Sequence, residues 1–158
     1  MCYAANMDTE AVSLLIDRLK GQKSLFTRYS ELAVVYLFGS MGRGDPREDS
    51  DVDIGLVFQR RGDTAIDHHR SIGDLASRLE QVVFPHRVDL VVLEEQGLVF
   101  CLNALSEGIA LYVADRTRQV DFESDVYVRA LDFLPTYRLA TGERLSGLRR
   151  WLRSRAVS

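Results

Sequence analysis

The sequence predicts an α/β (α+β) domain: a small mixed sheet flanked by helices, with further helices at the C-terminal end. Three observations carry that expectation. Four short apolar runs rich in β-branched and aromatic residues recur along the chain. The segments around them repeat apolar residues at helical spacing. The length of 158 residues suits one compact core and is too short for two ordinary domains.

Taken in order, residues 1–7 read as a loose lead-in, with Met7 an alternative natural start. Asp8 or Thr9 is placed to cap a helix beginning near Glu10, whose buried face is Val12, Leu15, Ile16 and Leu19. Ala33–Phe38 is a buried strand stopped by Gly39, and Met41–Ser50, with its glycines and Asp45-Pro46, is a loop or broken helical turn. Asp51–Phe58 is the second strand and Gln59–Asp63 a turn. Thr64–Val83 reads as a helix with Ile66, Ile72, Leu75, Leu79 and Val82 on its apolar face, ended by Pro85. Arg87–Leu93 is the third strand. Glu95–Glu107 is a helix stopped by Gly108, and Ile109–Val113 is the fourth strand. From Thr117 the pattern is helical to the end, interrupted at Pro135. The expected order is α-β-β-α-β-α-β-α-α.

Composition narrows the class of function. Apolar residues make up 46% and charged residues 27%, as in ordinary globular proteins. The net charge of -3 argues against indiscriminate nucleic-acid binding. No apolar run approaches the roughly 18 residues of a membrane span, and the N-terminus lacks a signal-peptide pattern, so a cytoplasmic protein is expected. Cys2 and Cys101 are expected to be reduced thiols, and no Cys/His cluster has zinc-ligand spacing.

The chemistry concentrates in three places. Asp51 and Asp53 lie two apart on a strand, so both point to one face, about 7 Å apart, opposite Val52, Ile54 and Leu56. Asp89 interrupts the apolar run Val88-Asp89-Leu90-Val91-Val92, where a buried lone carboxylate would be costly to ionise. A cation shared with Asp51 and Asp53 would remove that cost if the two strands lie side by side. Three carboxylates suit one or two Mg²⁺ ions, which prefer oxygen ligands. Gly39 and Ser40 end a strand ten residues before Asp51; Gly39 lets phosphate approach the backbone and Ser40 offers a hydroxyl, with Arg43 a further phosphate contact. Each feature alone is ordinarily a turn or a solvated strand end; the combination is far more specific.

These residues resemble a known superfamily. Leu37-Phe38-Gly39-Ser40, Arg43-Gly44 and Asp49-Ser50-Asp51-Val52-Asp53 are similar to the signature of the polymerase-β-like nucleotidyltransferases, and most similar to the minimal (MntA-like) antitoxins of HEPN/MNT toxin–antitoxin pairs. The resemblance spans roughly 8–115, leaving 116–158 as a helical extension packed on the same domain. It implies that Gly39 and Ser40 bind a triphosphate. Asp51 and Asp53 would ligate two Mg²⁺ ions, and Asp89 would complete the catalytic triad. It also implies transfer of AMP from ATP to a tyrosine of a HEPN ribonuclease toxin, which is silenced and held in a hetero-oligomer. Met41-Gly42 stands where relatives commonly carry small and basic residues, which leaves one basic contact unassigned. The ribonuclease signature of the partner, Arg-x-x-x-x-His, is absent here: Asp63, Thr64 and Gln81 precede His68, His69 and His86 by five.

Two other readings stay open: a nucleotidyltransferase for a small aminoglycoside-like molecule, and a non-catalytic antitoxin that acts by occlusion. His68-His69 is expected on a solvated helix face and His86 in a turn; Arg87 could help neutralise the acids. Tyr127 and Tyr137 are expected to pack. The basic segment with Arg138, Arg144, Arg149, Arg150, Arg153 and Arg155 carries Leu145, Leu148, Trp151 and Leu152 on one face, as a peripheral helix or as a docking helix for a partner.

Overall fold

The computed structural model describes residues 7–141, with the side chains of 134 and 136–141 also outside the description. Cys2, the side chains of Tyr137 and Arg138, and the basic segment beyond Thr141 therefore lie outside the description. Six helices and four strands follow one another: α1 (Thr9–Lys20), α2 (Lys23–Phe26), β1 (Leu32–Phe38), α3 (Gly39–Arg43), β2 (Val52–Phe58), α4 (His69–Val83), β3 (Val88–Val92), α5 (Leu98–Glu107), β4 (Ile109–Val113) and α6 (Arg116–Thr141). The sheet order is β3-β2-β1-β4. β1 runs antiparallel to both β2 and β4, while β2 and β3 are parallel and joined across α4. The sheet is mixed, as the pattern of runs predicts.

Alternation along the central strands divides the core into two layers. On one face Val52, Ile54, Leu56 and Phe58 of β2 pack with Leu15 and Leu19 of α1, Phe26 of α2, and Leu75, Leu79 and Val83 of α4. On the other, Val34, Tyr36 and Phe38 of β1 and Val57 of β2 pack with Cys101, Leu102 and Ala104 of α5 and Phe122, Val126, Tyr127 and Ala130 of α6. Tyr127 is thus a packing residue. α6 is fastened by polar contacts as well. The Tyr36 hydroxyl donates to Glu123 at 2.9 Å, Gln119 donates to the same oxygen, and Arg118 donates to the Phe58 carbonyl at 3.0 Å while pairing with Glu94. The Cys101 thiol is free and buried, and burial pushes its pKa up to about 11.

Five local expectations are corrected. The helix read as Thr64–Val83 begins only at His69. The Thr64 amide and hydroxyl both donate to Asp67 at 2.8 Å, and the Ala65 amide donates to Glu95 at 2.9 Å. These side-chain acceptors satisfy the backbone without a helix. Ile66 is consequently 81% exposed instead of on a buried face. His68, instead of facing solvent, lies 4.4 Å from the Phe58 ring and bonds Asp63 at 2.8 Å. The helix read as Glu95–Glu107 is a 3₁₀ turn, Leu93–Glu95, followed by α5, because Gly97 is extended. α6 continues through Pro135 without a break. Pro135 is exposed, so the carbonyl its missing N–H leaves free can face water. Asp8 occupies the position that caps α1, but its side chain makes no capping bond.

Leu79 is fully buried between α4 and the sheet. Leu79→Ala is expected to lower unfolding free energy by about 2–5 kcal/mol, read from the urea midpoint at unchanged m-value.

Candidate active site

The register of three strands assembles the acids. β2 is central, and Asp53 is the register partner of Phe38 on β1 and of Asp89 on β3. Neighbouring strands lie about 4.8 Å apart, so the parallel pairing sets Asp53 and Asp89 side by side. The side-by-side strands that the shared-cation argument required are therefore present. Asp51 sits just before β2, and the adjacent Val52 amide donates to the Arg87 carbonyl at 2.8 Å, which aligns the two strand starts.

Phe38 is followed immediately by Gly39, whose φ is +66°. A Cβ at position 39 would fall 2.1 Å from Oδ2 of Asp53. Glycine is therefore needed twice over: for the left-handed backbone and for the space that the carboxylate fills. The sequence argument assigned Gly39 only to phosphate approach. Ser40 and Met41 continue into the short helix α3, which ends at Arg43 and Gly44. Both Gly44 and Asp45 amides donate to the Ser40 carbonyl, and these bonds close the loop tightly behind the serine.

The electrostatics follow from this crowding. Asp53 is half-buried, and its carboxyl is held above the usual range, first by burial and then by the charges of Asp89 and Asp51, with Arg43 opposing. Arg43 itself bonds Glu107 at 3.0 Å and Asp45 at 3.3 Å. Glu107 has no distinctive signal in the sequence beyond being an acid at a helix end, so its part in holding Arg43 beside the site was not anticipated.

The sequence reading of Asp89 as buried is corrected: Asp89 is exposed. β3 is an edge strand: Val88, Leu90 and Val92 pack in the α4 layer and Val91 is partly covered in the opposite one, while Asp89 stays in water. Asp51 is exposed as well. Among the described residues, no three His, Cys, Asp or Glu side chains converge closely enough to hold an ion as they stand. The donor set nonetheless suits a hard divalent cation: all oxygen, all anionic, mutually repelling and gathered at one end of two adjacent strands. His86 lies in the turn before β3, and its Nδ1 is 3.1 Å from the Ser50 carbonyl. It ties that turn to the segment carrying Asp51. A recess of about 100 Å³ between the 3₁₀ turn, α5 and α6 does not include these residues. The acids lie on an open face.

The Polymerase beta, Nucleotidyltransferase family model matches residues 21–117, more than half of the chain. The chain belongs to that family. No curated protein sequence matches it significantly. Several solved structures share its fold. A toxin–antitoxin crystal structure with AMP-PNP is 26% identical with a TM-score of 0.57, covering 78% of this chain and 94% of that one. A mutant of the MntA–HpeT toxin–antitoxin is 26% identical at TM-score 0.55, covering 77% and 90%. A tri-AMPylated Shewanella oneidensis HEPN toxin in complex with MNT antitoxin aligns at 24% identity and TM-score 0.53, covering 82% and 93%. The polymerase-β-type fold explains why the Gly39-Ser40 turn and the Asp51/Asp53 strand start occur together: the two belong to adjacent antiparallel strands whose register places them in contact. Among the described residues, no helix is long and apolar enough to cross a membrane.

Two outcomes are expected of this nucleotidyltransferase. Gly39→Ala should leave the far-ultraviolet circular dichroism spectrum intact yet displace Asp53 and reduce turnover by about two to three orders of magnitude. Wild-type-like turnover would show that the close contact is dispensable. The second concerns pH. Because the folded Asp53 carboxyl is held above its unfolded value, the unfolded chain ionises first, and stability falls as pH rises from the unfolded to the folded value. In metal-free protein, Asp53→Asn should therefore raise Tm at pH 7, and the gain should vanish as the pH falls below the ordinary carboxylate range. Differential scanning calorimetry from pH 3 to 7 checks both the sign and the window.

Proposed function

We propose that this nucleotidyltransferase moves AMP from ATP to a tyrosine hydroxyl of a cognate HEPN ribonuclease toxin and so acts as its antitoxin. The observation that carries the reading is the contact between the Gly39 turn and Asp53, with Asp89 as register partner and Asp51 beside it. That arrangement sets the Gly39 turn against Asp53 with Asp51 and Asp89 at the same end of the sheet, which supports a phosphate-binding turn next to cation-binding acids. The structure with AMP-PNP, 26% identical, is a toxin–antitoxin, which supports both the nucleotide and the kind of partner. Residues 8–115 would form the catalytic unit, with the chain from 116 on as its helical extension.

In this reading Gly39 and Ser40 hold the triphosphate, and Arg43 leaves Glu107 or Asp45 to meet a phosphate oxygen. The tyrosine oxygen attacks the α-phosphorus, the bond from that phosphorus to the β-phosphate oxygen breaks, and pyrophosphate leaves. Asp89, exposed on the edge strand, is placed on the acceptor side and takes the phenolic proton directly or through water. Asp53, half-buried against Gly39, lies on the phosphate side. Asp51, Asp53 and Asp89 would hold one or two Mg²⁺ ions, which when bound neutralise the departing pyrophosphate and polarise the attacking oxygen.

The test uses the purified chain, Mg²⁺, α-labelled ATP and a candidate HEPN-type toxin. Label is expected on a toxin tyrosine, falling at least about a hundredfold in Asp51→Asn and Asp53→Asn. Neutralisation of the toxin that survives both substitutions, with no label on it, would sink the enzymatic reading in favour of occlusion.

A further inference from the structure

The turn leading into β3 carries a feature that the phosphate chemistry does not use. Phe84 is 78% exposed, among the most exposed large apolar side chains of the described residues. It stands where α4 ends, five residues before Asp89. The turn it belongs to is held in place. The His86 amide donates to the Val83 carbonyl at 3.0 Å, its Nδ1 lies 3.1 Å from the Ser50 carbonyl, and the Val52 amide donates to the Arg87 carbonyl. These bonds tie it to the segment that bears Asp51. Two residues from His86, Phe84 stands at the end of the sheet where the acids gather, and a phenyl ring in water forgoes the gain of burial unless something covers it. Arg87, exposed between Phe84 and Asp89, adds a cation to the same rim.

We propose that Phe84, with Arg87, anchors the protein acceptor, and that the acceptor docks over the β3 edge as a folded surface. This rests on the nucleotidyl-transfer reading above. Two observations favour a protein over a small molecule at this rim. Asp89 is exposed on an edge strand, so the acceptor oxygen arrives from outside the sheet. The rim pairs an aromatic with an arginine, the residue types that dominate protein–protein anchor points. Phe84 touches the acceptor and not the nucleotide, so it is a specificity residue and not a catalytic one.

Affinity, measured without ATP, separates this from the transfer reaction. Binding of the purified HEPN-type protein to immobilised wild-type chain, Phe84→Ala, Phe84→Trp and Ile66→Ala is followed by biolayer interferometry. Ile66 is the control, an exposed apolar residue near the opposite end of β2, where His68 meets Phe58. Phe84→Ala is expected to raise Kd at least about tenfold, Phe84→Trp to restore it to within about threefold, and Ile66→Ala to leave it unchanged. Tm should not move in any of them, because both positions are exposed. Equal effects at Phe84 and Ile66, no effect at Phe84, or no binding by wild type would each overturn the assignment. So would a change in the sedimentation of the free chain on Phe84→Ala, which would assign the rim to self-association. Wild type that binds the HEPN-type protein tightly but never labels it would defeat the transfer reading alone, leaving the docking assignment to the affinities.

Discussion

The carboxylate of Asp53 occupies the space where any residue other than glycine at position 39 would carry its Cβ. Much of the site depends on that contact. It requires the antiparallel register that pairs Phe38 with Asp53, and a one-residue slip would turn Asp53 to the face packed by α1 and α4. It requires the positive φ that starts α3 and so aims Ser40 and Arg43. The end of β1 is crowded from the other side too, since a Cβ on Gly108 would meet the Ala104 carbonyl at 2.2 Å and the Leu37 carbonyl at 2.9 Å. The turn from α5 into β4 therefore presses on the strand that delivers Gly39.

Gathering three acids at one end of a sheet opposes folding, and the structure shows where that cost is tolerated. Asp51 and Asp89 remain in water, so only Asp53 is appreciably desolvated. Beneath them Val52, Ile54, Leu56 and Phe58 are fully buried and make the strand rigid. The opposite end of β2 carries a different kind of polar cluster, in which Arg118 meets Glu94 and the Phe58 carbonyl with opposite charges paired. One end of the strand is balanced internally. The other is left with an excess of negative charge that a cation or a partner can answer.

How much of this was legible in the sequence depended on whether the deciding contact was local. The four strands were readable because their β-rich runs are bounded by glycine, proline and charged residues. The acid pair and the Gly39-Ser40 turn were readable because spacing within a strand fixes the face. The exposure of Asp89 was not, since Val88–Val92 has the composition of an interior strand and only sheet order reveals an edge. The late start of α4 was hidden because Glu95, thirty residues away, accepts the Ala65 amide. Periodicity alone cannot register such an acceptor. The roles of Glu107 and of the space at Gly39 were hidden for the same reason: each is a contact between elements.

An open site has a consequence for chemistry. Nucleotidyl transfer in water competes with hydrolysis, and enzymes commonly suppress it by closing a lid or burying the reacting atoms. Asp51 and Asp89 are both exposed, and the edge of β3 is uncovered by any other strand. Under the proposed reaction the acceptor protein itself would supply the missing wall. Docking would then exclude water, lower the effective dielectric around Asp53 and bring the hydroxyl to Asp89 in one event. Discrimination among acceptors would come from the fit of a protein surface to the rim of the site and not from a pocket. A site of this kind could in this way be selective, because under the proposed reaction the docked acceptor would complete it.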